Sequence, residues 1–440
     1  MIKTFVMLIT LFATALPALA TSLLRDADIE HAFSELARPI LQVAGLRPDQ
    51  VKIMLVDDGS FNAFVIDRHH IFLNSGLVLK TRSPEMLQSV IAHEVAHIAN
   101  GHISRRMQNI QATRNAVRFG VALALATGGA NKNPELGAGL SIGMSNSAQR
   151  VLNSHTQSEE ISADQTALRY FSKLGIDANG TLQVLDYLSA QEYLASDRQD
   201  PYARTHPLSR DRLRSAKAQA QAQEPTTPDP NAHYWHARAL AKMSAFSQNP
   251  DQILKKSKTA FSQDISHMQR AIALSRRGKL PQALKAIEKA QALRPNDPFF
   301  QDLKAELLMR NRQFSQAADA YSKAVSMAPD QALILAGQGR ALLAAGQNIS
   351  ALQSLKKARD MDFKNINLLH DLALVYAKLE NQGMAALITA ERFGLTGALK
   401  DAQRHAKKAE ALLPQGSPPW QRAQDILNAN HLKSNKYLTL

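Results

Sequence analysis

The stretch Ile91-Ala92-His93-Glu94-Val95-Ala96-His97 decides how the first half of the chain is read. It follows Ser83-Pro84-Glu85, where Ser83 is a ready N-cap, Pro84 suits the first helical position and Glu85 complements the positive end of a helix dipole. Met86, Leu87, Val90, Ile91 and Ile98 recur at helical spacing, and Gly101 loosens or ends the helix. At about 3.6 residues per turn, His93 and His97 lie one above the other on one face. Both imidazoles can therefore reach one zinc ion, and Glu94 beside them can take a proton from a water activated there. A helix that merely happens to carry two histidines and a glutamate is the competing reading of so short a pattern. Residues further along decide between the two.

With 440 residues the chain exceeds one small core, and two or more domains are expected. Its 45% hydrophobic and 20% charged residues are those of a soluble globular protein. It has no cysteine, which excludes disulfides, thiol catalysis and cysteine-held zinc, so His, Asp or Glu must supply any metal ligands. The net charge of +14 is uneven: residues 1–225 hold 22 basic and 21 acidic residues, residues 226–440 hold 30 and 17. The basic second half favours anionic partners: acidic protein segments or an anionic membrane surface touched peripherally. No nucleic-acid-binding motif is present.

Met1 to Ala20 reads as a signal peptide, with Lys3 as its positive start, an apolar run from Phe5 to Leu16, and Ala18-Leu19-Ala20 as a small-x-small cleavage site. Cleavage after Ala20 and export, most simply to a bacterial periplasm, are expected. The following residues, 21–225, are read as one domain. Ile29 to Ala44 is patterned as an amphipathic helix. Val51 to Val56, Phe61 to Ile66 and His70 to Asn74 are patterned as short strands of a small antiparallel sheet, whose edge can take an extended peptide through main-chain hydrogen bonds. Thr127 to Asn146, with Gly128, Gly129, Gly137 and Gly139, reads as a lid or a plain surface connection.

Glu160-Ile161-Ser162-Ala163-Asp164 supplies what the first motif lacks. Helical spacing puts Glu160 and Asp164 on one face. Glu160 can be the third protein ligand, and Asp164, one turn on, can hydrogen-bond the back of a zinc-bound histidine and fix its tautomer. One coordination position then stays open, as in a catalytic site. Glu159 competes for the ligand role but has Ala163, not a carboxylate, four residues on. His69 and His70 read as surface residues, and His102 as a structural hydrogen-bonding residue.

HExxH followed by ExxAD resembles the gluzincin metallopeptidases of the HtpX, Oma and Ste type, over most of residues 45–220. Asn62-Ala63-Phe64 and Gly76-Leu77 are similar to that family's strand and turn. Arg204-Thr205-His206-Pro207-Leu208-Ser209-Arg210-Asp211-Arg212-Leu213 is similar to its closing HPxxxxR motif. The resemblance implies one Zn2+ per chain on His93, His97 and Glu160, with Glu94 as general base. It places His206 at the active site with Arg212 supporting it. His206 would then stabilise the oxyanion, or latch the open zinc position at rest.

Gln219 to Asn231 reads as a linker, and residues 226–440 as a second domain. There, small residues repeat every 34 positions: Ala237, Ala271, Ala305, Gly339 and Ala373; Ala283, Ala317, Ala351 and Ala385; Ala290, Ala324 and Ala358. This is the tetratricopeptide period, so an all-α solenoid with a partner-binding groove is expected. The expected fold is thus an α+β gluzincin domain, mostly helical with a small antiparallel sheet, followed by a tetratricopeptide solenoid. An exported gluzincin domain with such a tail resembles periplasmic proteases of the BepA type. That implies clients among unfolded or misassembled outer-membrane β-barrel proteins, and contact with the β-barrel assembly machinery through the basic repeats. The alternative is a chaperone or adaptor whose protease is mostly latent.

Overall fold

The computed structural model describes residues 23–106, 108, 157–195 and 198–438. The signal-peptide and Thr127–Asn146 readings lie outside them. The chain opens with β1 (Leu23–Leu24) and α1 (Ala27–Val43), whose N-cap Asp26 accepts the amide hydrogens of Asp28 and Ile29, both at 3.0 Å. Strands β2 (Lys52–Val56), β3 (Ala63–Asp67) and β4 (His70–Asn74) follow. Then come α2 (Ser75–Lys80), α3 (Pro84–Ala99), α4 (Gln157–Leu174), α5 (Asn179–Gln191), α6 (Pro201–Thr205), α7 (Arg210–Ala222) and α8 (Pro230–Ser247).

The expected antiparallel sheet is a mixed one. Its order is β1-β2-β4-β3, with β2 and β4 parallel, in register from Lys52 opposite His70 to Val56 opposite Asn74. Arg68 and His69 make a tight hairpin turn that pairs β3 with β4 antiparallel. The longer connection before β3 carries the chain past the position of β4, so β4, and not β3, lies next to β2. The sheet's inner face (Ile53, Leu55, Ala63, Ile71 and Leu73) is buried with α1 and α3 in one core.

Helix α3 begins as its sequence dictates. Ser83 Oγ accepts the Met86 amide at 3.2 Å, Pro84 occupies the first turn, and Gly101 beyond the end adopts φ +73°. The helix is buried almost all round. Helix α5 crosses its first turn at Gly180, where a Cβ would lie 2.4 Å from the Glu85 backbone, so only glycine permits this approach.

Beyond α8, helices pair in series. The second helices of successive pairs start at Leu280, Phe314, Asn348 and Gln382, 34 residues apart. The repeating small residues sit where the helices cross: Ala271, Ala305, Ala283, Ala317 and Ala351 are fully buried, and a Cβ on Gly339 would meet the Leu355 side chain. Helix α8 lies between the two parts of the molecule. It packs along α1, and its Arg238 and Lys242, both fully buried, pair with Asp28 at 2.8 Å and Asp26 at 2.8 Å. Arg238 also grips Asp297 of the repeats, and Arg25 reaches Asp362 at 2.8 Å.

His236, on the same helix, is packed against the α2–α3 connection, its Nε2 2.9 Å from Thr81 Oγ1. Thr81 donates its hydroxyl hydrogen to Val78 O, so His236 donates to Thr81 through Nε2. Burial pushes its pKa down to about 4. The unfolded chain protonates this group near pH 6.5, well before the folded chain does. Stability is therefore complete above about pH 6.5, and up to about 3 kcal/mol of it is lost as the pH falls towards 4. Urea titrations from pH 7 to pH 4 should show this loss, and His236→Gln should make the profile flatter.

Candidate active site

Helices α3 and α4 bring the two motifs face to face. His93, Glu94 and His97 project from the middle of α3, and Glu160 and Asp164 from successive turns of α4. His206 arrives from the residue after α6, and Arg212 from the first turn of α7. All seven are buried. The structure thus gathers every site residue named from the sequence.

His93, His97, Glu160 and His206 each offer one ligand atom, and these atoms lie within 4.8 Å of one another. His93 Nε2 is 3.0 Å from His97 Nε2 and 3.2 Å from His206 Nδ1. His206 Nδ1 is also 3.0 Å from Glu160 Oε1. Three imidazole nitrogens and a carboxylate converging on one point are a donor set that a single divalent cation can take together. The donor set therefore fits a divalent metal.

The outer contacts point the same way. His93 Nδ1 is 2.9 Å from Asp164 Oδ1, so it donates there, which in the neutral imidazole leaves Nε2 as the lone-pair donor. His97 Nδ1 is 2.8 Å from His102 Nδ1. If His97 donates to His102, its own Nε2 is likewise free to bind a metal. Arg212 holds Asp164 through Nε at 2.6 Å and Nη2 at 3.0 Å, and its Nη1 lies 3.0 Å from Glu160 Oε2. The same Nη1 donates to the carbonyls of His206 at 3.1 Å and Pro207 at 2.8 Å.

Charge follows from this geometry. Burial works against an imidazolium at His93, but Glu160 and Asp164 overcome it and push its pKa up to about 10. Burial also opposes the charged form of Glu160, and His206 and His93 outweigh it, holding Glu160 well below the usual carboxylate range. Glu94 is different. Burial pushes its carboxyl up, and among the described residues neither oxygen has a hydrogen-bond partner, with His206 Nε2 3.6 Å away. A buried carboxylate beside a cluster of metal-ligand atoms is placed to act as a base there.

Sequence reasoning left His102 a general structural role and missed Tyr202, Asp200 and their neighbours. Tyr202 is buried with its ring centroid 4.4 Å from that of His206. Its signal was an aromatic one helical turn before the histidine. Nothing local marked Asp200.

Residues 23–220 match the description of peptidase family M48. A putative beta-barrel assembly-enhancing protease of Vibrio cholerae is 34% identical over 191 residues, covering 42% of this chain and 38% of that one. A beta-barrel assembly-enhancing protease of Escherichia coli is 23% identical over 401 residues, covering 90% of this chain and 81% of that one. Among solved structures, MamA from Desulfovibrio magneticus has a TM-score of 0.33 at 21% identity, covering 37% of this chain and 94% of that one.

Proposed function

From the premise that the chain belongs to peptidase family M48 through residues 23–220, and is a metalloprotease, we propose a zinc-dependent endopeptidase of outer-membrane protein assembly and quality control. The observation that carries this reading is the buried Glu94 carboxylate, without a hydrogen-bond partner among the described residues, beside the four converging donors. His93, His97 and Glu160 would hold the zinc, which when bound acidifies water and polarises the scissile carbonyl. Glu94 takes the proton of the attacking water and passes it to the leaving amine nitrogen. Its raised pKa suits it to both transfers. Asp164 fixes the His93 tautomer, and Arg212 keeps Asp164, Glu160 and the His206 turn in place.

His206 completes the donor set at rest and, when a peptide enters, donates to the oxyanion instead. The edge of β3, the outer strand of the sheet among the described residues, would take the peptide in extended form. The repeats of residues 226–440 would recruit unfolded β-barrel clients, and through their basic surface the assembly machinery or the membrane face. In this reading the chain is exported to the periplasm and cut after Ala20. Membership of His206 in the ligand cluster also favours a second reading, in which the protease is latent until a client docks and the repeats act as a chaperone.

The test is cleavage of an unfolded outer-membrane β-barrel polypeptide by the purified full chain with zinc. The wild type should cut it, and His206→Ala should lower the rate about 10²-fold. A rise instead would make latching the main role of His206. No cleavage by the wild type, with cleavage by His206→Ala, would favour the latent chaperone.

A further inference from the structure

Asp200 occupies the N-cap position of α6, yet its side chain accepts none of that helix's amide hydrogens. Its carboxylate is used elsewhere. Oδ1 accepts the backbone N–H of Phe61 at 3.0 Å, and Oδ2 accepts the Tyr187 hydroxyl. Lys80 Nζ stands 3.6 Å from the same carboxylate and donates to Tyr187 Oη at 3.0 Å. Phe61 returns the connection: its carbonyl accepts the Tyr202 N–H at 3.3 Å. Both backbone polar groups of Phe61 are thus committed to residues 200–202. Its ring is fully buried, stacked on Tyr187 at a centroid distance of 4.1 Å and edge-on to Tyr202 at 5.8 Å.

One turn later the Tyr202 carbonyl accepts the His206 N–H at 2.8 Å, and the two rings pack together. Helix α6 has five residues, too few to hold a conformation by itself. Its ends must be held from outside. Arg212 does this after His206, through the His206 and Pro207 carbonyls. Before His206, the Asp200–Phe61–Tyr202 connection ties the start of α6 to the sheet side of the site.

We infer that Asp200 is a positioning residue for His206, acting through Phe61 and Tyr202. This rests on the proposed role of His206 in hydrolysis. An imidazole displaced by even an ångström no longer meets the reacting atoms, and effects of about 10²-fold follow from such shifts. Phe61 lies two residues before β3, so the same connection joins the strand that would take the peptide to the imidazole that serves the reaction.

The experiment is a double-mutant cycle on the full chain with zinc, with kcat and KM measured on one peptide for the wild type, Asp200→Ala, Asp200→Asn, His206→Ala and Asp200→Ala/His206→Ala. Asp200→Ala should shift kcat in the same direction as His206→Ala, by at least about tenfold, with KM within about twofold. It should have no further effect once His206 is gone. Asp200→Asn keeps an acceptor for the Phe61 amide and should restore kcat to within about threefold. An equal effect of Asp200→Ala with and without His206, or none where His206→Ala has one, overturns the inference. If His206→Ala is silent while Glu94→Gln is dead, the role of His206 fails and the inference with it. Hydrogen exchange of the Tyr202 and His206 amides reads the connection without any turnover. They should exchange at least about tenfold faster in Asp200→Ala, and unchanged exchange overturns the inference even if no peptide is cut.

Discussion

Glu94→Gln should retain the metal and lower kcat by about 10²- to 10⁴-fold, the range for removing a positioned general base. The side chain has 0% exposure, and among the described residues both its oxygens lack hydrogen-bond partners. Glutamine keeps the shape and the van der Waals contacts but cannot take a proton from water. Because Glu94 is not in the converging donor set, metal content should not change. Stability should be equal or higher, since a buried carboxylate without a partner costs more than a neutral amide. Elemental analysis, thermal melting and peptide cleavage on the same preparation check the three parts. Loss of metal together with activity would mean that Glu94 is a ligand and not the base.

The second large effect is structural. Arg238→Met should cost about 3–5 kcal/mol, because it removes one partner of a buried ionic network and leaves the others charged. Arg238 is fully buried, ion-paired with Asp28 at 2.8 Å and hydrogen-bonded to Asp297, with its guanidinium 4.1 Å from the Phe300 ring centroid. Asp28 is on the first helix of the peptidase half and Asp297 caps a helix of the repeats, so the loss should loosen the two halves from each other. Urea denaturation should show a lower midpoint or a split transition. Restoring much of the loss in Arg238→Met with Asp28→Asn would confirm that the unpaired carboxylates carry the cost.

How much of this was legible varies with the range of the interaction. The helix bearing His93, Glu94 and His97 was readable because Ser83, Pro84 and Gly101 act within a turn of where they stand. Glu160 and Asp164 were readable by the same rule: four residues on a helix is one face. The 34-residue rhythm of Ala283, Ala317 and Ala351 was visible because close helix crossings demand small side chains at fixed steps. The parallel pairing of β2 with β4 was not. Strand alternation gives the faces of a sheet but not its order, and here a tight turn at Arg68–His69 and a longer loop before β3 set that order. The place of His206 followed from its motif by resemblance alone, since 113 residues separate it from His93. Arg238 and Asp200 gave no local sign, because each is explained only by partners far away in the chain.

The central expectation is that His93, His97 and Glu160 hold one zinc ion. Elemental analysis of the full chain, beside His93→Ala, His97→Ala and Glu160→Ala, measures this without depending on any substrate. About one zinc per chain in the wild type and less than about a tenth of that in each variant is the result expected of three protein ligands around one ion. Full zinc in Glu160→Ala, or none in the wild type after purification with zinc present, would contradict it.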